Sequence, residues 1–180
     1  MIRISLETRG TSEISRLVNP AILEKAMNQA ASKAVQGIKP IAKESIIEEF
    51  TIKPSKILGR RGRIWGYSEG TNAIVDSKGE RIGLIHYKHS PTQPMHGKTS
   101  GGVLSEVRRG EIRHLPHSFI NIERHGNMNG VFHRESSKRL PIYQNHGSSL
   151  PEMLSANSVS KRISNILIRK YESELARNLT

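Results

Sequence analysis

The sequence predicts an α+β fold, an antiparallel sheet with a long N-terminal helix and a C-terminal amphipathic helix packed on it. Three observations carry this. Apolar residues recur at helical spacing over 20–49 and again over 156–179. Between them, from Trp65 to Phe132, the period shortens to that of strands. The turn signals DSKGE, RRGE and RHGNMNG separate several of these runs, which favours antiparallel pairing.

In chain order, Ile2, Ile4 and Leu6 alternate with polar residues and predict a short strand with one buried face. Asn19-Pro20 then supplies an N-cap and a proline at the first helical position. Leu23, Met27, Ala30, Ala34, Ile38 and Ile41 follow at spacings of three and four, on a seam of small residues that lets another backbone come close. Pro40 lacks an amide hydrogen, so this helix is expected to kink at Pro40 or split near Gly37. A helical turn near Pro54 leads into a basic run, Arg60, Arg61 and Arg63, read as a solvated or phosphate-contacting loop. The strand candidates are 72–76, 81–88, 103–108, 111–114, 118–122 and 130–134. The Pro- and Gly-rich stretch 90–102 is expected to be a mobile, exposed loop. Leu140 and Ile142 flank Pro141 on one side of an extended edge segment. Ser149 is placed to cap a short helix that starts at Leu150-Pro151 and presents Leu150, Met153 and Leu154 as an apolar patch. That patch serves either the domain's own core or a subunit contact.

A chain of 180 residues is long enough for one domain, taken as 1–180. Only 35% of residues are hydrophobic and 4% aromatic, so a thin core completed by neighbouring subunits is expected. The formal charge is +12, of which +9 falls in residues 51–150, and it points to a polyanion or an acidic protein surface. Arg60, Arg61, Arg63, Arg108, Arg109, Arg113, Arg134, Lys138 and Arg139 are the candidates for one basic face. Few aromatics accompany them, which argues against base-specific recognition.

Without cysteine there are no disulfides, thiolate nucleophiles or thiolate metal ligands, which suits a soluble chain in a reducing compartment. No run approaches the roughly 18 apolar residues of a membrane helix, so no membrane partner is expected. His86 with His89, and His114 with His117, share a His-x-x-His spacing. On a strand, residues three apart point to opposite faces, so the spacing is poor for a metal. No phosphate-binding loop or dinucleotide fingerprint occurs, and acidic residues are scattered. The expectation is a non-enzymatic protein with no cofactor, no metal and no catalytic residues.

Several segments resemble the minor tail protein Z family of long-tailed phages and prophages. They are RHLPHSFIN (113–121), HGNMNGVFHRE (125–135), KRLPIYQNHGSSLPEML (138–154) and YESELARNL (171–179). His117, Ser118, Phe119 and Ile120 match a "HAFIA"-like element, and Gly130, Val131, Phe132 and Arg134 match "GVFxR". Arg139, Leu140, Pro141, Ile142, Gly147, Ser149, Pro151, Met153 and Leu154 match an "RLPI...YGPSxPQML"-like motif. NQAASKAV followed by FTIKPSKI is similar to the family's helix and "YxIKxxxV"-like segment. Two departures stand out: Asn145-His146 replaces a Leu-Tyr pair, and Pro40 interrupts the first helix.

The resemblance implies a virion component assembled in the bacterial host cytoplasm, which completes the head-proximal end of the tail and supports head–tail joining. It further implies a homo-oligomeric ring, commonly sixfold, with tail terminator, tail tube and head–neck proteins as partners and DNA nearby. On that basis Leu140, Pro141, Ile142, Leu150, Pro151, Met153 and Leu154 are the candidate assembly contact. The alternative is a non-specific DNA-backbone binder that uses the basic residues of 60–63 and 108–139.

Overall fold

The computed structural model describes residues 2–6, 19–58, 62–94, 101–122, 129–136 and 140–179. It has the α+β class expected, with an N-terminal helical segment, a C-terminal helix and antiparallel strands, one of which precedes the first helix. The first helix is split in two, α1 (Pro20–Ala34) and α2 (Ile38–Glu49). Asn19 caps α1, its side chain accepting from the Ala21 amide at 3.0 Å. The break falls at Gly37, whose φ of 74° lies in the left-handed region that a side chain disfavours. Pro40 is thereby placed in the first turn of α2, where a missing amide hydrogen breaks no helical bond.

The strands are β1 (Ile2–Leu6), β2 (Gly62–Glu69), β3 (Asn72–Gly79), β4 (Arg81–Gly83), β5 (Lys88–Ser90), β6 (Val103–Glu106), β7 (Ile112–Leu115), β8 (Ser118–Asn121), β9 (Gly130–His133), β10 (Tyr143–Gln144) and β11 (His146–Ser149). Every pairing is antiparallel, but the strands do not form one continuous sheet. Among the described residues they form four small ones, ordered β1-β3-β2, β5-β6-β7, β10-β9-β8 and β11-β4.

One cause is visible at 81–88, expected to be a single strand. Leu84 and Tyr87 are both buried, yet residues three apart on a strand face opposite ways. A 3-10 turn at Leu84–His86 changes the phase, turns Tyr87 inward and separates β4 from β5. In the stretch expected to be a mobile loop at 90–102, Ser90 ends β5 and residues 95–100 lie outside the described residues.

β2 falls where the sequence suggested a basic loop. It pairs with β3 through Gly70-Thr71, a two-residue hairpin connection with Gly70 at φ 56°. Ile64 of β2 and Ala73 and Val75 of β3 are buried in the same apolar cluster as Ala34, Val35 and Ile38 of the helical segment. The chain closes with α3 (Leu150–Ser155) and α4 (Asn157–Leu179). α4 packs along α1 and α2 through Val159, Ile163, Leu167 and Tyr171, which meet a helix face where Ala30, Ala31, Ala34 and Ala42 are fully buried. Small side chains bring these helix axes close. No described helix is long and apolar enough to cross a membrane.

Candidate functional site

The motif GSSLPEML (147–154) packs against Tyr87. The Tyr87 ring is 2% exposed, and its hydroxyl donates to the Ser148 carbonyl at 2.7 Å. Gly147 lies under the ring, where a Cβ would come 2.6 Å from ring carbon Cε2. Burial, with a smaller contribution from the Glu152 charge, pushes the phenol well above its ordinary pKa. Ser149 caps α3 with a full capping box. Its hydroxyl accepts from the Glu152 amide at 3.3 Å, and Glu152 accepts from the Ser149 amide at 2.8 Å.

α3 drives Leu150, Met153 and Leu154 into the core at 1%, 0% and 1% exposure, and Pro151 is buried beside them. These four residues are therefore not a surface assembly contact in the folded chain. Burying each of the three large side chains favours folding by about 1.5–3 kcal/mol, which a contact left open to water would forgo. Leu140, by contrast, is 67% exposed, Pro141 is exposed and Ile142 is half-buried. Of the expected assembly contact, the accessible part is Leu140, Pro141 and Ile142.

Other large apolar side chains are exposed in the same region of the chain. Leu104 and Ile112 belong to the β5-β6-β7 sheet, where the register puts them on one face; Tyr143 lies on β10, and Ile122 directly follows β8. Ile112 is on β7, an edge strand of its sheet.

The candidate basic face is dispersed. Arg60, Arg61, Lys138 and Arg139 lie outside the described residues. Arg108 pairs with Glu49 and, at 3.5 Å, with Glu111. The Arg109 guanidinium donates twice to the Ile47 carbonyl, at 3.0 and 2.9 Å, and its amide donates to Glu49. Both arginines thus satisfy and neutralise the carboxyl end of α2. Arg134 lies 4.5 Å over the Phe119 ring centroid on the β8–β9 pair. Arg63 lines a separate hollow with Lys39, Leu58 and Trp65.

Arg108 and Arg113 do converge, on a cleft of about 470 Å³ that also involves Arg81, His146, Glu111 and Glu152. Three arginines against two glutamates leave it nearly balanced, and it is not built as a polyanion site.

Three of the histidines serve local hydrogen bonds. His89 Nδ1 donates to the Tyr87 carbonyl at 2.8 Å, and His114 Nε2 to the Gly101 carbonyl at 2.6 Å. His133 Nδ1 is 2.8 Å from Asn145 Oδ1, while Asn145 Nδ2 donates to Ser118 Oγ at 2.8 Å. The Asn145 amide donates to Val131, and its carbonyl accepts from Leu84. One residue thus ties β8, β9 and the end of β4 together. In the sequence Asn145 stands out only as half of the Asn145-His146 pair, where the resembled motif has Leu-Tyr, and nothing local there points to these contacts. No group of three or more His, Asp or Glu is placed to hold a metal ion among the described residues.

No protein-family model, curated protein or solved structure matches this chain.

Proposed function

We propose that this chain is a non-enzymatic structural protein of a phage tail, one that completes the head-proximal end and supports joining to the head as a ring of copies. Support comes from the family-like motif residues, most of which have definite folding roles here. Gly147 makes room for Tyr87, Ser149 caps α3, and Met153 and Leu154 fill the core. The observation that carries the reading is the exposure of Leu104 and Ile112 on the β5-β6-β7 sheet, of Tyr143 on β10 and of Leu140 just before it, at 45%, 67%, 43% and 67%. We take these side chains as parts of one contact surface. The proposed assembly contact therefore keeps Leu140, Pro141 and Ile142 and gains Leu104, Ile112 and Tyr143 in place of the buried α3 residues. Ring neighbours, the tail terminator and tube and the head–neck proteins are its proposed partners.

Sedimentation velocity across a concentration series tests it. The wild type is expected to form discrete oligomers, and Leu140→Asp with Ile112→Asp to remain monomeric with an unchanged thermal melt. A wild-type protein that stays monomeric at every concentration and salt condition would refute the reading. The alternative, DNA-backbone binding through 60–63 and 108–139, draws on the +12 charge. The commitment of Arg108 and Arg109 to α2 weighs against that particular surface.

A further inference from the structure

A basic groove runs between the carboxyl end of α1 and the second half of α4, with a volume of about 520 Å³. Lys33, Arg169, Lys170 and Arg177 line it with Gln36, Ser173 and one carboxylate, Glu174. We propose that this groove binds the phosphate backbone of duplex nucleic acid. The proposal does not depend on the tail reading, and it places the polyanion surface on the helices rather than in the 51–150 segment where the sequence concentrates charge.

The cations are in different states of use. Arg177 pairs with Glu174 at 2.6 Å, which neutralises the one carboxylate of the groove. Lys170 gives one of its three donors to the Gln36 carbonyl at 3.3 Å. Lys33 and Arg169 are exposed and have no side-chain partner among the described residues. Four cations against one carboxylate leave a surplus of three positive charges, held together by packing of α1 on α4.

Shape and lining identify the partner. Arg169, Ser173 and Arg177 recur every fourth residue, so they form one stripe on α4. At 1.5 Å per residue the backbone positions at its ends are about 12 Å apart, a length that lets the stripe follow successive phosphates along a strand. Every lining side chain is polar or charged, and a guanidinium, an ammonium, a hydroxyl and an amide all donate hydrogen bonds. A protein partner would need apolar or aromatic anchors at the centre of such a surface, whereas nucleic-acid interfaces are polar and strongly positive.

Fluorescence anisotropy with a labelled DNA duplex, over salt from about 50 to 200 mM, tests this. Each phosphate neutralised contributes about −0.9 to the slope of log affinity against log salt. Lys33→Gln with Arg169→Gln is therefore expected to flatten the slope by about 1.8, shrinking the salt-induced loss over that range by about 12-fold. Lys53→Gln with Lys56→Gln removes the same charge outside the groove and is expected to leave the slope near wild type. Lys33→Arg with Arg169→Lys keeps both charges and is expected to keep the wild-type slope, which separates charge from any effect on folding. The proposal is overturned by an unchanged slope in the groove variant, by an equal change in the Lys53 and Lys56 control, or by no duplex binding at low salt. Binding to polyglutamate but not to DNA, the signature of an acidic protein partner, overturns it as well.

Discussion

Gly147→Ala puts the Tyr87 packing under direct test. Gly147 is not among the glycines with positive φ, so its requirement is for space and not for backbone conformation. A Cβ there would lie 2.6 Å from Tyr87 Cε2 and 3.0 Å from Cζ. Restoring ordinary contact needs the ring to move by about 0.8–1 Å inside a close-packed core. Overpacking of this kind costs about 1–3 kcal/mol. The movement also pulls the hydroxyl from the Ser148 carbonyl, for about 0.5–1.5 kcal/mol more. The expected total is about 1.5–4.5 kcal/mol, a large part of the roughly 5–15 kcal/mol that holds a domain folded. Urea unfolding followed by circular dichroism should show a lower midpoint with an unchanged slope. In a Tyr87→Leu background, where the ring is gone, the added methyl should cost far less, and that non-additivity identifies the contact. A Gly147→Ala protein within about 0.5 kcal/mol of wild type would refute the argument, because an exposed glycine away from contacts changes stability by no more than that.

Ser149→Ala removes one half of the capping box and should cost about 1 kcal/mol in the same assay, whereas Ser149→Asp should retain most of the cap. Asn145→Ala leaves Ser118 Oγ and His133 Nδ1 without their shared partner and should cost about 1–3 kcal/mol, with faster amide exchange in β8 and β9. Glu106 is held below the ordinary carboxylate range, first by the Lys88 ammonium and then by the Gly110 amide. Its contribution is present above the unfolded value of about 4.5 and is lost as pH falls through the lower folded value. Glu106→Gln should therefore be less stable than wild type at pH 7, and the gap should narrow as the pH is lowered past 4.5 in thermal melts.

The helices and the capped turn were legible because their signals are local. Asn19-Pro20, the three-and-four spacing of Leu23 to Ile41, and Ser149 ahead of Leu150-Pro151 each act within a few residues. β2 was hidden because Arg63 and the glycines at 62 and 66 dilute its alternation, and the Gly70-Thr71 turn that sets its register is inconspicuous. The partition into four sheets depends on non-local events, such as Asn145 receiving Leu84 and Arg109 docking on α2, which no window of sequence contains. The apolar triplet Leu150, Met153 and Leu154 would look the same whether it faced a core or a partner, and only the fold chose the core. The arginines were visible as charge, but their distribution over separate surfaces was not. The helical groove escaped notice because Lys33 and Arg169 come from opposite ends of the chain.

The pairing of α1 with α4 also sets an order of events during synthesis. Ala30, Ala31 and Ala34 leave the ribosome early, but the helix that covers them begins only at Asn157. At about 5–20 residues per second, the roughly 120 intervening residues take about 6–24 s to appear. For that interval the nascent chain carries an uncovered apolar helix face, which makes it a natural client for ribosome-associated chaperones. A product truncated before Asn157 would never cover it.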